Sequence, residues 1–497
     1  MLRRVSYYAA RCWRPTPRRP PRVDERRPRR TKSTGVHGRG IHLVAAALRI
    51  DADVIVIGFG VAGTTLAATL GRQGRHIVMI ERSDRLYGGT WINLGYAPTT
   101  SVLFHSETAA AADGEAHSSA LRGAAALAAE MRAEVLAVLD AMPNVEVLKG
   151  TASFVDPHTV EVQLRSSIVL VTGHTIVIAT GSEPTWPRVP GLRGNPRVVT
   201  AVELLSSVAP PRRVVVLGGG HVGLELAAMY AAFGSEATVL ERRPVILGSE
   251  DDDVVSCAAQ ALADAGVDLV TAATVTLVYG PAVTYQVDGA TSTVLADTIL
   301  IASGRRPATA ELNLRNAAII TRADDTIVVD DHLRTSQSHV FAVGDVNGGA
   351  PLHCISLDDC RIVLDQLIGD GTRHTADRRA VPHVLFVTPP LARVGITERD
   401  ARRSGYQVKV ATLPVAEMGT VPRARIARPP RGLMKIVVDA DTDLILGAAF
   451  LSYDSHEVIN SLVLAIRHNI SATELRKGIY SHPSMTEALN QLLGALA

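Results

Sequence analysis

Two glycine-rich cassettes of identical spacing, offset by 160 residues, constrain this chain more than any other feature. In each, an apolar run is followed by a Gly-x-Gly-x-x-Gly turn, an Ala- and Leu-rich segment, and an acid 23 residues after the first glycine. The first cassette carries Gly58, Gly60, Gly63 and Glu81, and the second carries Gly218, Gly220, Gly223 and Glu241. This pattern predicts two strand–turn–helix units of the dinucleotide-binding type.

Each residue of the pattern has a physical role in holding a dinucleotide. The first glycine makes the tight turn, the second lets the backbone approach a pyrophosphate, and the third lets the helix and strand pack closely. The pyrophosphate lies on unpaired amides at the helix N-terminus, and the acid binds a ribose. Two such sites in one chain indicate hydride transfer between two dinucleotides.

The charge balance of the chain after residue 50 argues against nucleic-acid binding. The 497 residues have a formal net charge of +2, but residues 1–50 hold 13 Arg and one Lys against Asp24 and Glu25. The other 37 basic and 47 acidic residues give the rest of the chain a net charge of about −10. Because no run of 18 apolar residues occurs, we also predict no transmembrane helix.

Residues 1–50 are rich in Arg and Pro and lack hydrophobic periodicity, so we predict a disordered leader. Two interpretations stay open, a genuine tail and a start codon assigned too far upstream. The apolar run from Leu43 to Leu48 is too short and too far from the start for an export signal. Cys12 and Cys257 have no evident partner, which is typical of a reducing cytoplasm, and we expect a cytoplasmic protein.

The order of the apolar runs predicts that the second cassette is inserted into the domain that the first one opens. A strand-like run over 176–178 leads to Gly181, a second over 299–301 leads to Gly304, and a third over 340–343 leads to Asp345. The predicted fold class is α/β, with two Rossmann-like dinucleotide-binding domains and a C-terminal α+β domain.

Further motifs accompany the cassettes, namely Gly88-Gly89-Thr90, Ala179-Thr180-Gly181, Glu225, Gly304-Arg305-Arg306-Pro307, Gly344-Asp345 and His482-Pro483 with Glu487. With them the chain resembles, from residue 51 to its end, the pyridine nucleotide-disulfide oxidoreductases, the flavoproteins that include glutathione reductase, lipoamide dehydrogenase and mercuric reductase. The stretches 355–359, 388–395, 454–457 and 482–487 resemble in particular the bacterial reactive-chlorine-resistance flavoproteins of that family, which are linked to copper reduction.

The resemblance implies three domains and two cofactors. An FAD-binding domain is expected over 51–195 and 320–378, an NAD(P)-binding domain over 196–319, and a dimerisation domain over 379–497. Glu81 is expected on the adenosine ribose of FAD and Asp345 on the flavin side chain. The other cofactor-binding residues that the resemblance implies, besides the cassette residues, are Gly89, Thr90, Thr180, Gly181, Glu225 and Gly304. The protein is expected to be a homodimer in which His482 enters the partner's active site.

The chain departs from the family directly after Gly89-Thr90. Family members carry there a Cys-x-x-x-x-Cys pair and then a Lys beside the flavin, whereas this chain has Trp91, Tyr96 and Thr100. Thiol–disulfide exchange requires a thiolate, so the dithiol route is closed. We expect hydride to pass from flavin directly to a small-molecule acceptor, namely a quinone, a metal ion, oxygen or a second nicotinamide. A non-catalytic nucleotide-binding protein is the alternative.

Cys354 and Cys360 allow two interpretations. With His353 they could form a soft-metal cluster near the flavin. Alternatively, six residues on a helix place the thiols on roughly opposite faces, each filling a small apolar space. We assign no metal-binding residue.

His482, Glu487 and Glu225 also leave alternatives open. In the family the His is an acid/base oriented by the Glu; without thiols, His482 could protonate a reduced acceptor or be a structural pair with Glu487 at the dimer interface. Glu225 normally pairs with the missing Lys, so it is either an orphan carboxylate that burial pushes towards the neutral form or it has a new partner. Glu241 favours NADH over NADPH, although Arg242 and Arg243 could attract a 2′-phosphate.

Overall fold

The computed structural model describes residues 48–94, 114–207, 210–426 and 430–496. Its first sheet is mainly parallel and contains the strand of the first cassette at its centre. The strand order is Val145–Lys149, Ile77–Glu81, Leu48–Ile57, Ile168–Ile178, Thr159–Gln163 and Thr151–Phe154, with Val340–Ala342 also paired to Ile168–Ile178. The central strands are apolar on both faces because helices cover one side and further apolar segments cover the other.

The strand of the first cassette begins at Leu48, which corrects the predicted start of ordered structure at residue 51. Leu48, Arg49 and Ile50 continue the parallel pairing with Ile168–Ile178, and Ile50 packs against the core of the sheet. The backbone pairing therefore extends the strand into the last three residues assigned to the leader. Residues 1–47, which carry the rest of that prediction, lie outside the described residues.

A second, wholly parallel sheet repeats the arrangement around the second cassette. Its strand order is Val267–Val270, Glu236–Leu240, Arg213–Leu217, Thr298–Ile301 and Val198–Val199. An antiparallel three-stranded sheet lies in the chain between Val267–Val270 and Thr298–Ile301 and comprises Thr274–Tyr279, Ala282–Val287 and Ala290–Leu295. Because Val340–Ala342 returns to the first sheet after all of these strands, the second sheet is inserted between parts of the first.

A two-stranded ribbon joins the two cassette regions. Ser182–Pro184 pairs antiparallel with Arg305–Pro307, directly after the last long strand of each cassette. The main chain reinforces the ribbon, since the Thr185 N–H donates to the carbonyl of Gly304 at 2.9 Å and the Ala308 N–H donates to that of Gly181 at 3.0 Å. The carboxyl ends of the two parallel sheets are therefore tied together, and such ends are where open α/β sheets bind ligands.

The C-terminal part is an antiparallel sheet backed by helices. Its strand order is His383–Leu385, Leu391–Gly395, Ile445–Leu451, Leu433–Asp439 and Val408–Pro414. Apolar side chains of this sheet and of the helices Ser455–Arg467 and Ala488–Gly494 form one core. The fold therefore has the α/β class and the C-terminal α+β part that the sequence predicts.

The α-helices among the described residues are Val61–Arg72, Thr90–Asn93, Gly114–Asp140, Ala201–Leu205, His221–Ala232, Asp252–Asp264, His353–Ile368, Glu398–Arg403, Pro422–Ile426, Ser455–Arg467, Ala472–Arg476 and Ala488–Gly494. Short 3-10 helices lie at Asp84–Leu86, Leu314–Ala317, Gly344–Asn347, Thr375–Asp377 and Val415–Glu417. Within the described ranges, no helix is both long and apolar enough to cross a membrane.

Candidate active site

The first glycine loop has the geometry that its sequence predicts. Gly58 has φ +109°, and a Cβ there would lie 2.4 Å from the carbonyl oxygen of Ala179. A Cβ on Gly63 would lie 2.5 Å from the carbonyl oxygen of Gly58, so helix and strand meet too closely for a side chain. Gly60 caps the helix Val61–Arg72 in extended backbone, and as a glycine it leaves the first helical N–H groups without a side-chain partner.

Glu81 ends the neighbouring strand and contacts the same loop. Its Oε2 accepts a hydrogen bond from the Phe59 N–H at 3.0 Å, and its Oε1 accepts from the Ser83 N–H at 3.0 Å. Burial raises the pKa of this carboxyl above its ordinary value, against the lowering effect of those two N–H groups. Through these hydrogen bonds the Glu81 carboxylate stabilises the loop beside the position where the predicted ribose would lie.

The glycines of the second loop, each 160 residues further along the chain, repeat this geometry. Gly218 has φ +116°, and a Cβ there would lie 2.5 Å from the carbonyl oxygen of Ala302. Gly220 caps the helix His221–Ala232, and a Cβ on Gly223 would lie 2.1 Å from the carbonyl oxygen of Gly218. In both loops the same close backbone contacts require a glycine at the first and third positions, as expected for two copies of one binding device.

Glu241 takes the position of Glu81 in the second cassette but also binds an arginine. Its carboxylate accepts from the Gly219 N–H at 2.7 Å and from the Arg243 N–H at 2.8 Å, and it forms an ion pair with the Arg243 guanidinium at 3.2 Å. Burial opposes ionisation, but these donors together lower the pKa of Glu241. A negative charge therefore stays at the end of this strand, partly compensated by the exposed Arg243.

The turn at Gly88-Gly89 lies against the first glycine loop. Gly88 bridges to Gly60, and a Cβ on Gly89, whose φ is +69°, would lie 2.8 Å from the Cα of Gly60. The short helix Thr90–Asn93 begins at the next residue. The backbone of this turn thus borders the phosphate loop, and Thr90 is held at its edge.

Asp345 belongs to a hydrogen-bonded group at the carboxyl ends of both sheets. Its carboxylate accepts from the Ser182 hydroxyl at 2.5 Å, and Ser182 accepts in turn from the Arg305 guanidinium at 2.7 Å. Burial lowers the pKa of Arg305, opposed by the negative charges of Asp345 and Glu183. The hydroxyl oxygen of Thr180 is buried nearby in the chain and has no hydrogen-bond partner within the described ranges.

A fully buried carboxylate holds the Gly344-Asp345 turn in place through hydrogen bonds. Asp359, on the helix His353–Ile368, accepts from the Gly344 N–H at 2.6 Å and from the Asn347 amide at 3.0 Å. Arg378 binds the other oxygen of Asp359 and also contacts Asp358 at 2.7 Å. Burial raises the pKa of Asp359 despite these donors. The turn is therefore anchored by a charge that lies inside the protein.

Glu225 has gained a backbone partner in place of a lysine. Its Oε1 accepts from the Phe386 N–H at 2.9 Å, and no Lys or Arg pairs with it in the part of the chain that the structure describes. Burial raises its pKa to about 7. Both alternatives drawn from the sequence thus apply in part, because the carboxyl is pushed towards the neutral form and also has a new partner. The contact joins the second cassette to the C-terminal sheet.

Trp91 stands at the first turn after Gly89-Thr90, where the sequence places the lost thiol. Its ring centroid lies 5.3 Å from that of His353, and its indole Nε1 is buried without a hydrogen-bond partner among the described residues. Tyr96 and Thr100, the other two departures, lie outside the described residues. The position next to the turn therefore holds an aromatic ring in contact with an imidazole.

The structure separates the two cysteines that the sequence considered as a metal pair. Cys360 is buried in the apolar core of the first sheet, and burial raises its pKa to about 12, whereas Cys354 is exposed. Among the described residues, no group of three or more His, Cys, Asp or Glu side chains is arranged to hold a metal ion. The Cys360 thiol fills an apolar space, as the second interpretation expects, whereas the exposed Cys354 thiol does not.

His482 and Glu487 lie together, directly before the last helix. The His482 Nδ1 is 2.8 Å from Glu487 Oε2, and the His482 side chain is 66% exposed while that of Glu487 is 15% exposed. The carboxylate thus orients the imidazole, and the ring is presented to the outside of the chain.

Sequence reasoning missed several residues that complete the site. Ser182 and Arg305 connect Asp345 to the two-stranded ribbon. Asp359 anchors the Gly344-Asp345 turn. Phe386 and His456 line a cavity beside Trp91. The sequence gives no local signal for Asp359, because its helix also carries Asp358, Arg361 and Asp365. Contacts that join distant segments likewise leave no local signal.

The residues fit the two cofactors. The uncapped N–H groups after Gly60 and Gly220 suit two pyrophosphates. A Cβ on Gly181, Gly220 or Gly304 would meet nothing within 4 Å, so open space lies in front of these loops, and the buried Thr180 hydroxyl lacks a partner that a ligand would supply.

Comparison with known proteins agrees with this geometry. A family model described as pyridine nucleotide-disulphide oxidoreductase matches residues 52–359. The model for the dimerisation domain of the same family matches residues 381–493. Together the two models account for both cassettes, the ribbon and the C-terminal sheet.

Individual relatives extend over nearly the whole described chain. A probable pyridine nucleotide-disulfide oxidoreductase of Escherichia coli, RclA, is 40% identical over 448 residues, covering 88% of this chain and 98% of that protein. A mercuric reductase of Bacillus cereus is 32% identical, covering 88% and 70% respectively. A solved Cu(II) complex of the HOCl-induced flavoprotein disulfide reductase RclA from Escherichia coli superposes with a TM-score of 0.85 at 39% identity, covering 89% of this chain and 99% of that one.

Proposed function

The chain belongs to the pyridine nucleotide-disulphide oxidoreductase family, and on that basis we propose that it is an FAD-dependent NAD(P)H oxidoreductase without a protein dithiol. With FAD bound, the enzyme would pass the two electrons of NAD(P)H directly to an external acceptor. Oxidoreductase activity and the use of FAD and NAD(P) follow from the family. The direct transfer and the residue roles below are our proposal.

The proposal depends on one observation, namely that Trp91 occupies the position of the missing thiol. The first helical turn after Gly89-Thr90 presents an indole that contacts His353, and neither group undergoes disulfide exchange. The described thiols are no substitute, because Cys360 is buried in the core and Cys257 and Cys354 lie on other elements or faces with pKa values raised by burial. A raised thiol pKa leaves little thiolate at neutral pH.

The chain's own residues hold and orient the two cofactors. The loops at Gly58 and Gly218 bind the pyrophosphates, with Glu81 and Glu241 on the riboses. Asp345, fixed by Ser182 and Asp359, binds the flavin side chain, and Thr180 donates its unpaired hydroxyl to the cofactor. Bound FAD supplies a two-electron carrier that no amino-acid side chain of the site provides. The domain limits 51–195 with 320–378, 196–319 and 379–497 belong to the same proposal.

NADH is the proposed reductant. Glu241 stays ionised because the N–H groups of Arg243 and Gly219 lower its pKa against the effect of burial. A carboxylate at this position binds the ribose hydroxyls of NADH and repels a 2′-phosphate. Arg243 is engaged by Glu241, which reduces its availability for a phosphate.

A reductive titration separates this mechanism from the dithiol mechanism. Purified holoenzyme is titrated anaerobically with NADH while the flavin absorbance is followed. An enzyme with flavin and disulfide takes up four electrons per FAD, whereas this enzyme should take up two and be fully reduced by one equivalent of NADH.

Controls assign the result to the flavin alone. A variant with Cys257→Ser, Cys354→Ser and Cys360→Ala should give the same one-equivalent endpoint. Two equivalents in the wild type, falling to one in this variant, would contradict the proposal. A flavin that does not bleach with NADH would instead support a non-catalytic nucleotide-binding protein.

A further inference from the structure

A cavity of about 250 Å³ opens beside Trp91. Its wall includes the side chains of Trp91, His353, Cys354, His383, Phe386 and His456. These residues come from the helix after the Gly88-Gly89 turn, from the start of the helix that anchors Asp345, and from the C-terminal part of the chain. None of the roles assigned above uses the space between them.

The cavity lies where the two cassettes and the C-terminal sheet meet. Phe386 in its wall donates its N–H to Glu225 of the second cassette at 2.9 Å. His383 in its wall has its ring 6.0 Å from that of His221, the first residue of the second phosphate-loop helix. Trp91 follows two residues after Gly89, which lies on the first phosphate loop. A ligand in the cavity is therefore bordered by elements that hold each cofactor.

Five of the eleven wall residues carry an aromatic or imidazole ring. Trp91 lies 5.3 Å from His353, and Phe386 lies 5.8 Å from His456, both as tilted ring pairs. The remaining wall is mostly aliphatic. Such surfaces favour a flat, apolar ring system, because stacked and edge contacts with aromatic rings add to the gain from removing apolar surface from water.

Two buried nitrogen atoms of wall residues lack partners. The Trp91 Nε1 and the His456 Nδ1 are both inaccessible to solvent and form no hydrogen bond with described residues. An indole nitrogen only donates, and a neutral imidazole donates from one nitrogen. Because buried polar atoms are nearly always paired, these two indicate a ligand with acceptor oxygens.

We propose that this cavity binds the electron acceptor and that the acceptor is a small quinone of one or two rings. The ring lies against Trp91 and Phe386, and its carbonyl oxygens accept hydrogen bonds from Trp91 and His456. The size agrees, since pockets for larger, drug-like ligands occupy about 300–1,000 Å³. This inference rests on the proposed function, because it requires an NADH-reduced enzyme without a dithiol.

The overall step balances without a further reactant. NADH gives up a hydride, which is two electrons and one proton, and becomes NAD⁺. The quinone takes both electrons and two protons and becomes a hydroquinone. The second proton comes from water.

The test compares acceptor kinetics in paired variants of the holoenzyme. Trp91→Phe and His456→Phe keep a ring but remove the unpaired nitrogen. Each should raise the KM for 2-methyl-1,4-naphthoquinone about three- to tenfold, the effect of losing one hydrogen bond. The rate of anaerobic flavin reduction by NADH should stay the same. Trp186→Phe and His468→Phe are matched controls outside the cavity and should leave that KM unchanged.

Several outcomes would overturn the inference. An unchanged quinone KM in both cavity variants would do so, as would a changed oligomeric state in place of a changed KM. Loss of Cu(II) reduction in Cys354→Ser, with quinone kinetics insensitive to Trp91→Phe, would assign the cavity to a metal ion. A wild-type flavin that NADH does not bleach would refute the proposed function instead.

A structural readout covers variants that lose FAD or fail to fold. Wild-type holoenzyme crystals soaked with 2-methyl-1,4-naphthoquinone should show the ring between Trp91 and Phe386, with an oxygen within hydrogen-bonding distance of the Trp91 Nε1. Quinone bound at another place would overturn the inference.

Discussion

Glu225 shows how one buried carboxyl ties stability to pH. Burial raises its pKa from 4.5 to about 7, so the folded protein binds this proton more tightly than the unfolded chain does. The resulting contribution to stability is fully present below pH 4.5 and is lost as the pH rises through 7. A shift of this size corresponds to about 3 kcal/mol.

Replacing Glu225 by Gln should therefore stabilise the protein only at high pH. The amide oxygen still accepts from the Phe386 N–H, but the cost of a buried charge disappears. We expect the Tm of Glu225→Gln to exceed that of the wild type at pH 8 and to match it at pH 5, measured by thermal unfolding at fixed FAD. Glu236→Gln, at an exposed position, is the control. An equal shift at both pH values would show that ionisation is not the cause.

The charge of Glu241 should control the choice of nicotinamide. Glu241→Gln keeps an oxygen for the Gly219 N–H but removes the negative charge beside the expected 2′ position and frees Arg243. Like charges at ~4 Å near a surface repel by up to about 4 kcal/mol, so the ratio of kcat/KM for NADPH to that for NADH should rise tenfold or more. Glu81→Gln, the same residue 160 positions earlier, should leave the ratio unchanged. An unaltered ratio in Glu241→Gln would contradict the NADH assignment.

At the level of elements, the helix His353–Ile368 positions the Gly344-Asp345 turn through Asp359. Asp359→Asn should destabilise the protein by about 3 kcal/mol, because one carboxylate of a buried, hydrogen-bonded ion pair is lost and the new amide nitrogen cannot accept a hydrogen bond from Arg378, which keeps only its contact with Asp358. The same change should speed FAD loss on gel filtration, since Asp345 sits on that turn. Asp358→Asn, at the neighbouring and more exposed contact of Arg378, should have a smaller effect on both measurements. Full FAD retention in Asp359→Asn would argue against the anchoring role.

The glycine geometry of the two cassettes was predictable from sequence, and the contacts between distant elements were not. The spacing of Gly58, Gly63 and Glu81 is a local pattern whose steric reasons act within one strand–turn–helix unit. Ser182 with Arg305, and Glu225 with Phe386, join segments more than 100 residues apart, so their partners depend on the folded topology. The start of the first strand at Leu48 was missed for the same reason, since pairing with a distant strand extends it.

At the scale of the whole molecule, the exposure of His482 is what we expect of a residue that acts on a second chain. Glu487 holds its ring at 2.8 Å, yet the His482 side chain is 66% exposed. The family's dimerisation domain covers residues 381–493, which include both residues. If His482 donates a proton to the reduced acceptor in the partner's site, His482→Gln should lower turnover about 100-fold while flavin reduction by NADH stays unchanged.

Mixed dimers decide whether the imidazole acts across the interface. One protomer carries His482→Gln, and the other carries Gly58→Ala, whose Cβ would lie 2.4 Å from the Ala179 carbonyl oxygen and prevent FAD binding. Action across the interface predicts about half of the wild-type turnover in the mixed dimer, because the one bound flavin is served by the intact His482 of the other chain. Action within a chain predicts almost none, since the protomer with FAD then lacks its own imidazole. Turnover equal to the wild type in His482→Gln homodimers would leave His482 and Glu487 as a structural pair.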